Sequence, residues 1–140
     1  MKNIGRFVIG TVLIMFAAAP RVSAQEAVTV PFILDHNRML VDMEFQRADG
    51  TWRTARIWMD TGEPRFSMSE ALARDLGIDL SGLASSPLVP PPADVRIGGM
   101  PIDFSDIETL VGGAPAWMFN TMRNDGHISS RILQRYQVVF

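Results

Sequence analysis

A chain of 140 residues, 47% of them hydrophobic, has room for one domain with a substantial core. Its net charge of −2, with Lys and Arg spread along the chain, leaves no basic stripe of the kind that nucleic acid requires. With no cysteine, disulfides, thiolate chemistry and lipid attachment at a cleavage-site cysteine are all excluded.

Lys2 and Arg6 precede an apolar run from Phe7 to Ala19, and Val22-Ser23-Ala24 offers the small residues that a signal peptidase reads. The pattern predicts a signal peptide over 1–24, cleaved after Ala24, because the run is too short for a comfortable permanent anchor. The expected mature domain, 25–140, is exported, periplasmic or secreted. It carries no polybasic or amphipathic segment, so no membrane association is expected after cleavage.

From Val28 to Phe45 the sequence favours extended structure, with Asp35-His36-Asn37 as a turn and Met39 to Phe45 alternating apolar with acidic residues. Asp49-Gly50 then signals a hairpin, and Trp52 to Met59 is the returning strand. Ser67-Met68-Ser69-Glu70 fits a capping box with Ser67 as N-cap and Glu70 at N3. It opens a short helix through Leu72 and Leu76 that ends at Gly77. Ser81 to Asp94, with Pro87 and Pro90-Pro91-Pro92, lacks too many N–H donors to pair and is expected to be an irregular loop.

Val95 to Ile102 reads as two strands around Gly98-Gly99, and Ile107 to Val111 as another strand, broken by Gly112-Gly113-Ala114-Pro115. The Gly-Gly pairs lack phosphate-loop spacing and are expected to be turns. Trp117-Met118-Phe119 is assigned to the core in preference to a substrate cleft, Asn124-Asp125-Gly126 to a turn, and Ser129 or Ser130 to the cap of a short helix through Leu133. Tyr136 to Phe140 reads as a strand that stops without a terminator. His36 and His127 lie in no metal spacing and are expected to be surface or capping histidines, so neither a metal nor another cofactor is expected.

The chemistry concentrates at Arg56-Ile57-Trp58-Met59-Asp60-Thr61-Gly62, where an apolar strand delivers a carboxylate, a β-branched hydroxyl residue and a glycine in one turn. Asp and Gly are also ordinary turn formers, so Asp60 acting only as a turn cap is the plain alternative. No serine lies in a Gly-x-Ser-x-Gly setting, which disfavours a serine hydrolase.

Three pieces in this order resemble the single-domain retropepsin-like aspartic peptidases exported by bacteria. They are Pro31-Phe32 through Asn37-Arg38 and Leu40-Val41; Trp58 to Gly62 with Ser69 to Gly77; and Asp125-Gly126-His127-Ile128 with Ile132-Leu133 and Tyr136 to Val139. The resemblance spans about Val30 to Phe140. It implies an all-β, mainly antiparallel fold with one or two short helices, half of a pepsin-type bilobal barrel.

It also implies a homodimer acting on a peptide or protein substrate, each subunit giving one Asp to a pair that shares a proton. In that carry-over Asp60 is the catalytic acid or base, Thr61 braces the two turns, and Gly62 lets the backbone pass close to substrate. Glu63 and Ile128 flank the turn as subsite or modulating positions.

The chain departs from the family pattern at Glu63, where a small residue is usual, and at Ser129, where a glycine is expected. The Pro-rich segment stands where a substrate-covering hairpin belongs, and the family continues past Phe140 with another Asp and a final strand. These departures define the alternative function, a catalytically inactive retropepsin-like module with a peptide-binding or structural role.

Overall fold

Among the described residues, 27–83, 87–112 and 124–139 of a computed structural model, nine strands and two short helices follow one another. They are β1 (Phe32–Asp35), β2 (Arg38–Gln46), β3 (Trp52–Met59), β4 (Phe66–Met68), α1 (Glu70–Asp75), β5 (Leu88–Val89), β6 (Val95–Ile97), β7 (Met100–Ile102), β8 (Thr109–Val111), β9 (Gly126–Ile128) and α2 (Ser130–Leu133). The expected signal segment and Trp117-Met118-Phe119 lie outside the described residues.

The β2–β3 hairpin forms where alternation and Asp49-Gly50 predict it, in antiparallel register from Leu40 opposite Trp58 to Gln46 opposite Trp52. Arg47 N donates to Thr51 O at 2.7 Å, and Gly50 takes φ +83°, a conformation costly for residues with a Cβ. Val41, Met43 and Phe45 of β2, with Ala55 and Ile57 of β3, turn one face into the core. Asp42 and Arg56 pair at 3.0 Å on the other face.

β3 occupies one edge of β2. The other edge is shared by β1 against residues 38–41 and β6 against residues 43–45. Pairing begins at Phe32, not at Val28, because Pro31 has no N–H to give to a ladder. The full order is β5-β8-β4-β9-β3-β2-β6-β7, a curled half-barrel sheet. Phe45, Phe66 and Phe104 meet at its centre with ring centroids 5.0–6.3 Å apart, and Leu72 and Ala73 of α1 with Ile132 of α2 complete the core.

Four expectations are corrected. Ser67 is not the N-cap of α1. It belongs to β4, and Ser69 caps the helix, its Oγ accepting from Leu72 N at 3.1 Å. Phe66 and Met68 are both fully buried, so their packing holds Ser67 in a strand. Within the Pro-rich segment Leu88 and Val89 pair with Leu110 and Thr109, since these two residues keep the N–H groups that the neighbouring prolines lack.

Gly126 opens β9 and does not close a turn. Residues 137–139 form no strand, and Val138 and Val139 are exposed with no ladder partner among the described residues.

Candidate active site

Asp60 is the first residue beyond β3, half-buried, and its position follows from how β9 is inserted. β9 lies between β3 and β4, parallel to β3 and antiparallel to β4, with Met59 level with Ile128. The chain leaving β3 at Asp60 must therefore pass the C-terminal end of β9 before it re-enters the sheet as β4. Asp60, Thr61, Gly62, Glu63 and Pro64 make that crossing.

The start of α2 ties the crossing down. Ser130 N donates to Glu63 O at 2.8 Å, and Ser129 Oγ donates to Pro64 O at 2.6 Å while accepting from Arg131 N at 3.1 Å. Ser129 is fully buried. The hydroxyl found where the family pattern has glycine thus caps a helix and fastens the Asp60 turn. So committed, it is no nucleophile.

Within the turn, Asp60 Oδ1 accepts from Gly62 N at 2.9 Å, which fixes one carboxylate oxygen toward the backbone. Thr61 and Gly62 are exposed. A methyl group on Gly62 would meet Asp60 Oδ1 at 3.4 Å, an ordinary contact, so among the described residues no contact demands glycine there. Glu63 folds back on its neighbour, its Oε1 accepting from Arg65 N and Arg65 Nε, each at 3.1 Å. Ile128 is 2% exposed and belongs to the core cluster.

The sequence reading missed the group standing beside the turn. His127 is buried, not a surface residue, because β9 is flanked on both sides. It packs edge-on against Trp58 with centroids 4.7 Å apart, and Arg38 stands over the other ring of that pair, 5.6 Å from the Trp58 centroid. Burial lowers the proton affinity of His127 below its ordinary value. The charges of Asp60 and Glu63 act the other way, and Arg38 adds to the lowering. Once β9 is inserted, alternation puts Ile128 on the core face and His127 on the face it shares with Trp58, its partner in register. His36 is exposed at the β1–β2 turn. Among the described residues no group of His, Asp and Glu is arranged to hold a metal ion.

The sheet that carries this turn has a counterpart among solved structures at the level of the fold. The chain is similar to the crystal structure of a retropepsin-like aspartic protease from Rickettsia conorii, at a TM-score of 0.51 and 16% identity, over 83% of this chain and 88% of that one. The fold is retropepsin-like. No family model matches the chain, and no curated protein matches it in sequence. At that identity the likeness carries the retropepsin-like fold, and the chemistry must be argued from the residues themselves.

Proposed function

We propose that this chain is an aspartic endopeptidase that acts as a homodimer, with Asp60 of each subunit at a shared centre. The observation that carries the proposal is the placement of Asp60, held by Gly62 N on a turn anchored by Ser129 and Ser130, in a retropepsin-like fold. A single carboxylate cannot both take a proton from water and give one to the carbonyl oxygen of the scissile bond. Two that share one proton can do both, because like charges so close do not ionise together.

In this mechanism the ionised carboxylate takes a proton from water as it attacks the peptide carbonyl, and the protonated partner gives its proton to the carbonyl oxygen. As the tetrahedral intermediate collapses, the carboxylate that took the proton of water gives it to the departing amine nitrogen, and the other takes a proton from a hydroxyl of the intermediate, which restores the shared proton. Thr61 and Gly62 flank the carboxylates, and no covalent intermediate is required.

The dimer makes the proposal testable by dilution. Cleavage per unit protein is expected to fall as the chain is diluted through its dissociation range, in step with the dimer fraction from sedimentation. A strictly monomeric protein at every concentration would contradict the proposal.

One observation favours a second reading, a peptide-binding module without activity. Residues 87–94 hold β5, paired to β8, and Pro90-Pro91-Pro92, so among the described residues no hairpin rises there to cover the site. Binding of peptides without Asp60-dependent cleavage would favour that reading.

A further inference from the structure

Arg53, Arg56, Arg65, Arg74 and Arg135 each hold a carboxylate within the subunit. Arg38 does not. It is half-buried, rests over Trp58, and among the described residues has no carboxylate partner. Leu40 is level with Trp58, so Arg38, at the start of β2, stands at the end of the sheet where β3 gives way to the Asp60 turn. Trp58, two residues before Asp60, carries Arg38 over its ring and meets His127 edge-on. Glu63, the other acid of the turn, is engaged by Arg65, so it does not serve Arg38.

We infer that Arg38 is a specificity-determining residue that receives an acidic side chain of the substrate close to the bond presented to Asp60. The inference rests on the reading of the Asp60 turn as a peptide site. A guanidinium braced on an aromatic ring loses little freedom when it binds, and its planar fork matches a carboxylate with two N–H donors. Half-burial reduces the screening that would blunt such a pair on an open surface. A glutamine in the same place offers a neutral acceptor only, and a lysine is repelled.

The test uses an otherwise neutral decapeptide series with Glu, Gln or Lys placed singly at each position around the centre. Binding to the Asp60→Asn protein is read by fluorescence anisotropy, and cleavage by the unaltered protein is read alongside. At one position Glu is expected to be preferred over Gln by about tenfold, the difference between a charged and a neutral hydrogen bond. Arg38→Gln should bring that ratio close to one, Arg38→Lys should leave it intermediate, and Arg38→Glu should turn the preference toward Lys.

No Glu preference at any position, a ratio that survives Arg38→Gln, or no binding of any peptide would overturn the inference. So would an Arg38→Gln effect confined to the monomer–dimer balance, since Arg38 would then meet a partner subunit. The two proposals fail separately. Cleavage without Glu preference removes the role of Arg38 and leaves the peptidase standing, whereas Arg38-dependent binding without cleavage does the reverse.

Discussion

Gly126 lies so close to Ser67 that a methyl group on its α-carbon would stand 2.4 Å from the Ser67 carbonyl oxygen. The contact is between β9 and β4, backbone against backbone, and the same methyl would press Ile57 Cδ1 at 3.3 Å. Neither strand can give way easily. β9 is also bonded to β3, and β4 is bonded to β8.

Gly126→Ala is therefore expected to destabilise the fold by about 3 kcal/mol, at the upper end of the range for overpacked cores. Urea unfolding of the variant checks this, and a loss within about 0.5 kcal/mol, the range of a neutral surface change, would show that the β4–β9 contact relaxes. The expected loss is global, because β9 is the strand past which the Asp60 turn must cross.

Ser129 joins two functions in one hydroxyl, donating to Pro64 O and capping α2. Ser129→Ala should cost about 1–2 kcal/mol, combining a lost cap with an unsatisfied carbonyl. Because Pro64 belongs to the crossing that carries Asp60, the variant should also lose more peptide affinity than its lower stability explains. Chemical denaturation and peptide binding on the same preparation separate the two effects. Unchanged affinity in the folded variant would show that the turn holds its shape without this anchor.

His127 links the fold to pH. Its proton affinity is lowered in the folded state, chiefly by burial, from an ordinary value of 6.5. Below that value the unfolded chain binds a proton that the folded chain resists, so protonation favours unfolding. The contribution of His127 to stability is fully present above pH 6.5 and is lost as pH falls from there toward its folded value. His127→Phe keeps an aromatic partner for Trp58 and removes the titration. Its unfolding free energy is expected to fall less than that of the unaltered protein between neutral and mildly acid pH, and equal falls would contradict the assignment.

These residues mark how far the sequence could be read. The β2–β3 hairpin was legible because alternation from Met39 to Phe45 and the Asp49-Gly50 turn are local signals, and β3 leads directly to Asp60. Helix α1 was legible from Leu72 and Gly77, yet its cap was misplaced by two residues. Ser67 and Ser69 are locally similar, and only the burial of Phe66 and Met68 on both sides of β4 decides between them.

β9 escaped for the same reason. Asn124-Asp125-Gly126 has turn composition, and the strand exists because β3 and β4 offer it two edges from elsewhere in the chain. The burial of His127, and the stack that joins it to Trp58 and Arg38, depends on that insertion. No local pattern records it.

Whether Asp60 does the chemistry is decided by cleavage of a mixed peptide library by the chain from Gln25 onward, with Asp60→Asn in parallel. Cuts by the unaltered protein are expected from mildly acid to neutral pH, reduced about a hundredfold or more in the variant while its fold is intact. Cuts that persist at the same rate in Asp60→Asn would contradict a catalytic role for Asp60.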